Sequence, residues 1–285
     1  ELEVLAGEPG LERGVVDLVV EALERGELDQ APQRLPLPPQ AKAPPSWPDK
    51  GEIDGDATSA PIFLWGAPGS GVERVATGLA AASPVLRSDR YTSNAPDDAF
   101  QNYHTLQDLA SGVLTPERLV QRWREQLPSR GVQDDAIIDW LLWWDNAYAA
   151  VMREALPGAT LVAVLRDPRD MLLNWLAFGS ATPFALASPQ VAAEWLAASL
   201  QQLADLHEQD LVPHHLLRLD DISEDPAAIV ARLREALGIE LPEPPAGYFG
   251  APRFRAGGWR DYADLLAGPF ATLAPAARRL GYPDA

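Results

Sequence analysis

Pro61–Ala82 reads PIFLWGAPGSGVERVATGLAAA. Ile62 to Trp65 is apolar throughout and turn residues follow at once, so it predicts a short buried strand. Gly66-Ala67-Pro68-Gly69-Ser70-Gly71 then packs three glycines and a proline into six residues. Such a loop lets backbone approach a ligand closely. Val75, Leu79 and neighbouring alanines recur at helical spacing, which predicts a helix from near Val72. A strand, a glycine loop and a helix in that order form a phosphate cradle, because free backbone N–H groups and the positive end of the helix dipole face an anion.

The loop departs from the nucleotide-triphosphatase pattern in what it lacks. That pattern places Lys and then Ser or Thr after the last glycine, for phosphate and magnesium. Here Val72 and Glu73 follow Gly71, and the two lysines of the chain, Lys42 and Lys50, lie upstream. On this segment alone, a glycine-rich turn without a ligand stays open as an alternative.

The 285 residues suffice for one large α/β domain or two small ones, and 47% hydrophobic residues with nine tryptophans indicate a globular chain. A net charge of −18 argues against a nucleic-acid or anionic-membrane partner, so an anionic ligand needs local arginines. With no cysteine there is no disulfide framework, thiolate metal site or thiol nucleophile. No signal-peptide pattern or bilayer-spanning apolar run is visible, so no membrane partner and a cytoplasmic location are expected. Starting on Glu1 rather than methionine, the chain is expected to be a piece of a longer protein.

Two regions are expected. Residues 1–58 hold an amphipathic helix over 11–25, followed by a proline-rich linker or arm; 59–285 form the main domain. Within the latter, short strands are predicted at Val85–Leu86, Ala136–Asp139, Leu161–Leu165 and His215–Leu219. Helices are predicted over 115–126, from about Met171 to Phe178, over 189–208 and 226–237, and near the end of the chain. Strands alternating with helices predict an α/β fold: a mostly parallel, doubly wound sheet with helices on both faces and ligands at the strands' carboxyl ends. Arg166 falls immediately after the clearest strand, LVAVL, in the run Arg166-Asp167-Pro168-Arg169-Asp170. Its fork of donors suits a phosphate there. The same run also reads as a turn tied by Arg–Asp pairs.

Four stretches together resemble the sulfotransferases that use 3′-phosphoadenosine 5′-phosphosulfate (PAPS). That family has a Gly-x-Pro-Arg/Lys-Ser-Gly-Ser/Thr-Ser/Thr loop after its first strand, and GAPGSGVE, Gly66 to Glu73, matches at Gly66, Pro68, Ser70 and Gly71. Its strand followed by Arg-Asp/Asn-Pro-Arg/Lys-Asp is matched by LVAVLRDPRDMLLNW, with Asn174 at the place of a serine. Its strand ending in Tyr-Glu-Asp, with a later Asp-Pro opening a helix, is matched by LRLDDISEDPAAIVARLREALGI. Its closing Gly-x-Trp-Lys/Arg segment is matched by AGGWRDY from Ala256. The resemblance covers about residues 60 to 283 and is nearest to bacterial members that follow tetratricopeptide helices, which suits an N-terminal helical-repeat region.

The resemblance implies a P-loop-like sulfotransferase domain that binds PAPS, releases 3′-phosphoadenosine 5′-phosphate (PAP) and needs no metal. Its donor site is expected to involve Gly66, Pro68, Gly69, Ser70, Gly71, Val72, Glu73, Arg74, Arg166, Asn174, Arg255, Gly257, Gly258 and Trp259. Gly69 stands where the family has a basic residue, and Val72 and Glu73 where it has hydroxyls. The 5′-phosphosulfate side of the loop is therefore altered, while Arg166 and Asn174 keep the 3′-phosphate side. Asp89 stands at the place of the family's catalytic base, with His104 as runner-up. The expected reaction is sulfuryl transfer to a hydroxyl or amine of a small-molecule or peptide acceptor. The alternatives are an inactive binding module of the same fold and a divergent P-loop kinase.

Overall fold

The computed structural model describes residues 20–21, 60–82, 99–102, 104–130, 137–179, 186–220, 226–238 and 256–283. Most of the helix expected over 11–25, the proline-rich arm, the strand expected at Val85–Leu86, Asp89 and Arg255 lie outside these residues.

Among the described residues four strands form a parallel sheet: β1 (Ile62–Trp65), β2 (Ile138–Leu141), β3 (Thr160–Leu165) and β4 (His214–Arg218), in the order β2-β1-β3-β4. The register pairs Trp65 with Leu141 on one side and with Ala163 on the other. The helices are α1 (Val72–Ala82), α2 (Thr105–Ala110), α3 (Pro116–Gln126), α4 (Ala147–Ala155), α5 (Pro168–Phe178), α6 (Pro189–Gln209), α7 (Pro226–Leu237) and α8 (Ala267–Arg279). A 3₁₀ turn, Gly258–Tyr262, precedes α8.

Side chains alternate across a strand, so an all-apolar run has to find a core on both faces. Ile62, Leu64, Ile138, Trp140, Val162 and Val164 pack with Val72, Val75 and Leu79 of α1 and with Ile229, Val230 and Leu233 of α7. Phe63, Trp65, Leu141, Leu161, Ala163 and Leu165 face the opposite way, into a larger core filled from α3, α4, α5, α6 and α8. Asp139 is buried in this larger layer's strand β2, and its Oδ2 accepts from the Trp123 indole N–H at 2.8 Å.

This layering fixes where a ligand crevice opens. From β1 the chain turns to α1 on one face; from the adjacent β3 it turns to α5 on the other. Neighbouring strands whose connections diverge to opposite faces leave a crevice at their carboxyl ends. The crevice is lined by the glycine loop and by the run that begins at Arg166.

Several predicted boundaries shift. Strand β2 ends at Leu141 rather than Asp139, because Trp140 and Leu141 continue the alternation into the two cores. Strand β4 starts at His214 and ends at Arg218. Helix α5 starts at Pro168, three residues before Met171. Proline suits the first helical position, and the Asp167 carboxylate caps the helix by accepting from the Arg169 N–H.

The chain leaves β2 through a braced bend. The buried Gln101 Oε1 accepts from the backbone N–H groups of Leu142 at 2.6 Å and Trp143 at 2.9 Å. Trp140, Trp143 and Trp144 are buried around this bend as core. Replacing Gln101 with methionine keeps its length but removes the acceptor from two N–H groups. Urea denaturation is expected to show a loss of roughly 2–3 kcal/mol, since an unsatisfied buried donor costs about 1–3 kcal/mol.

Candidate functional site

The glycine loop is wound by its own backbone and held from behind. Ser70 N–H donates to Ala67 O at 3.0 Å, and Arg74 N–H donates to Gly71 O at 3.0 Å, which starts α1. The Ser70 hydroxyl is turned inward, fully buried, and accepts from Val72 N–H at 3.3 Å. Gly69 and Gly71 have φ of 81° and 84°, in the left-handed region.

Gly69 carries a second constraint. A Cβ placed there would lie 1.9 Å from the carbonyl oxygen of Met171, in the first turn of α5. The loop and α5 meet at van der Waals distance, and no side chain fits between them. This explains why the expected basic residue is absent: an arginine or lysine at position 69 is incompatible with this approach. Asn174, one turn further along α5, ties the two together by donating from Nδ2 to Gly69 O at 3.3 Å. Its Oδ1 is buried without a hydrogen-bond partner among the described residues.

The other loop positions divide. Val72 is buried in the small core with Val75 and Leu79, so its side chain serves packing. Glu73 and Arg74 are half-buried in the first turn of α1. A Cβ on Gly71 would touch Leu219 Cδ1 at 3.0 Å, so the stretch after β4 also leans on the loop.

The charged run after β3 sorts into different roles. Arg166 Nε lies 3.6 Å from Asp220 Oδ1, in an ion pair largely shielded from solvent. Arg169 is structural: Nε and Nη2 grip the Asp167 carboxylate at 2.8 and 2.7 Å, and Nη2 also donates to Pro283 O at 2.8 Å. Its guanidinium lies 3.7 Å from the centroid of the Trp259 ring. Asp170, fully buried, accepts from Gly257 N–H at 2.6 Å and Trp259 N–H at 2.8 Å. The glycine-tryptophan segment is thereby fastened to the helix that carries Asn174. Gly258 and Trp259 are buried there, with the ring edge-on to Phe270.

Burial pushes the Asp170 carboxyl up to about 6, against the lowering effect of its two N–H partners and of Arg166. Burial likewise raises Asp220, and Arg166, the Tyr282 hydroxyl and the Asp167 N–H pull it back. Both acids lie beside the strand ends that form the crevice.

His104 sits exposed just before α2, with its ring Nδ1 3.3 Å from Gln107 Oε1 on that helix. The structure thus brings together Gly69 with Asn174, Gly71 with Leu219, Arg166 with Asp220, and Asp170 with Gly257 and Trp259. The bracing role of Asp170 is not legible in the sequence. An aspartate at the helix start and a glycine pair far downstream carry no one-dimensional sign of contact.

No family model and no curated protein matches the chain. In structure it is similar to the sulfotransferase domain of the olefin synthase from Synechococcus PCC 7002, at a TM-score of 0.49 and 15% identity, over 87% of this chain and 100% of that one. It is also similar to a sulfotransferase from Alicyclobacillus acidocaldarius, at a TM-score of 0.43 and 16% identity, over 76% of this chain and 95% of that one.

Gly69→Ala is expected to destabilise the protein by more than the roughly 1–2 kcal/mol of a left-handed non-glycine residue, because the methyl also strikes the Met171 carbonyl. Ser70→Ala lacks that clash and should cost about 1 kcal/mol; equal midpoints for the two in thermal melts would contradict the close approach. For Asp170 the sign follows from proton binding. Between about pH 4 and 6 the folded chain holds a proton on this carboxyl that the unfolded chain has released, so stability falls as pH rises through that window. Asp170→Asn does not titrate. Wild type minus variant should therefore fall by roughly 2–3 kcal/mol from pH 4 to pH 6.5, measured by urea unfolding.

Proposed function

We propose that the chain binds PAPS in the crevice between β1 and β3 and transfers its sulfuryl group to a hydroxyl or amine. The observation that carries this reading is the junction of the glycine loop with α5, where Asn174 donates to Gly69 O and Arg166 stands at the first position past β3. Loop N–H groups and the α1 dipole favour an anion, and a guanidinium at the end of the adjacent strand is suited to charge-assisted hydrogen bonds. The partnerless Asn174 Oδ1 is an acceptor, so it wants an O–H or N–H. PAPS offers both kinds of group: phosphate oxygens that accept, and ribose and adenine groups that donate. The residues fit such a molecule, with Arg166 and the second N–H of Asn174 Nδ2 on its 3′-phosphate, Asn174 Oδ1 on a ribose or adenine donor, and the loop backbone from Gly69 to Glu73 on its 5′ side.

In this reaction the acceptor oxygen or nitrogen forms a bond to sulfur as the bond from sulfur to the 5′-phosphate oxygen breaks. PAP leaves with the electron pair and a base takes the acceptor's proton. Asp89 is the residue we assign to that base, with His104 as the alternative. The chain's own contribution is positioning, together with donors aimed at the phosphate on which charge collects.

A second reading, a binding module without turnover, is favoured by one observation. Of the loop side chains expected to hold the 5′-phosphosulfate, Gly69 has none and Val72 lies in the core. Magnesium–ATP chemistry is disfavoured by the same positions, which supply neither a lysine nor a hydroxyl after the last glycine.

Calorimetry is expected to show PAP binding that Arg166→Ala weakens by roughly 2–3 kcal/mol, the scale of a hydrogen bond to a charged group. Binding of adenosine 5′-phosphosulfate, which has no 3′-phosphate, should barely change. Equal losses for both ligands would remove Arg166 from the 3′-phosphate site, and tighter binding of ATP–Mg²⁺ than of PAP would refute the donor. Release of PAP from PAPS in the presence of phenols or amines separates the enzyme from the module.

A further inference from the structure

We infer that Tyr282 is a positioning residue for Arg166 and acts through Asp220; as a claim about ligand binding, this rests on the reading of the crevice as a PAPS site. The Tyr282 hydroxyl donates to Asp220 Oδ2 at 2.9 Å, and the same oxygen accepts from Asp167 N–H at 2.8 Å. The other oxygen, Oδ1, is buried with no hydrogen-bond partner and stands 3.6 Å from Arg166 Nε. One side of the carboxylate is thus fixed by two donors, and the other is aimed at the arginine. A guanidinium has five N–H donors in a rigid plane, so a carboxylate held at its Nε sets the plane's direction without exhausting its donors.

Several contacts place the hydroxyl. Arg218, at the end of β4, lies over the Tyr282 ring, 5.1 Å from its centroid, and donates to Leu280 O. Arg169 donates to Pro283 O on the other side of the tyrosine. The stretch from Leu280 to Pro283 is therefore clamped by two arginines, Arg218 at the end of β4 and Arg169 in the first turn of α5. Tyr282 presents a hydroxyl, the one group there that reaches Asp220. The ring packs against Arg218 whether or not the hydroxyl is present, so packing alone does not account for the oxygen.

The position of Asp220 is costly without this support. Burial works against its charge, and the groups that favour the ionised form are Arg166, the Tyr282 hydroxyl and the Asp167 N–H. Asp167 also faces it as a second carboxylate and opposes its charge. Withdrawing the hydroxyl leaves one N–H to hold Oδ2, and the carboxylate gains freedom to turn away from Arg166.

The test is Tyr282→Phe, which keeps the ring over Arg218 and removes one oxygen. Two readouts are taken on the full chain. Titration with PAP and with adenosine 5′-phosphosulfate is expected to show PAP weakened roughly five- to tenfold, the worth of about one hydrogen bond, with the second ligand unchanged. Phenylglyoxal labelling, followed by peptide mass spectrometry, is expected to modify Arg166 faster in the variant and Arg169 at the wild-type rate. A purely structural tyrosine would weaken both ligands alike and speed both arginines, and that result overturns the inference, as does an unchanged labelling rate at Arg166. If wild type binds no PAP, the PAPS reading fails. The labelling comparison still decides whether Tyr282 holds Arg166.

Discussion

The contact between Gly69 and the carbonyl of Met171 sets the geometry on which the crevice depends. Two elements that leave adjacent strands toward opposite faces are brought to touching distance at one residue without a side chain. A backbone-to-backbone approach of this kind is stiff, because neither partner has a rotamer to change. Asn174 adds a directional bond to the same carbonyl-bearing glycine. The loop's shape is therefore set by α5 as much as by its own sequence, and the absence of a basic side chain at position 69 follows from that shape.

Around this junction the charged groups are organised by burial. Low dielectric strengthens a paired charge and penalises an unpaired one. Arg169 is gripped by Asp167, by a backbone carbonyl and by an aromatic face; Asp170 is satisfied by two backbone N–H groups. These two residues hold the strand-to-helix bend and the glycine-tryptophan turn in place. Arg166, the first residue past β3, meets a carboxylate with one oxygen already engaged elsewhere. Residues that look equivalent in the run Arg-Asp-Pro-Arg-Asp thus separate into a brace, Arg169 and Asp170, and an arginine paired across to β4's end, Arg166.

Much of the scaffold was legible in the sequence, for reasons that name its limits. Strand β1, the loop and the start of α1 were readable because an apolar run gives way abruptly to glycine and proline. The expected end of strand β2 falls two residues early because Asp139 looks like a strand end, whereas the Trp123 indole accommodates it inside the sheet. Helix α5 was begun late because five polar or helix-breaking residues resemble a loop, although proline and a preceding aspartate also spell a capped start. The place of Arg166 directly past β3 is legible from the apolar run before it. The duties of Arg169, Asp170, Asp220 and Tyr282 are not, since each depends on a partner distant in sequence that no periodicity announces.

The sequence distances spanned by these contacts have a consequence for folding. Gly69 meets Asn174 across 105 residues, Arg169 meets Pro283 across 114, and Asp170 meets Gly257 across 87. Closing such long loops costs chain entropy before the contact repays it, so non-local pairings form slowly and late. No fragment bounded by one strand and its helix contains the crevice. It exists once the sheet, α5 and the stretch after α8 have come together, so the crevice is a property of the completed architecture and of no smaller piece.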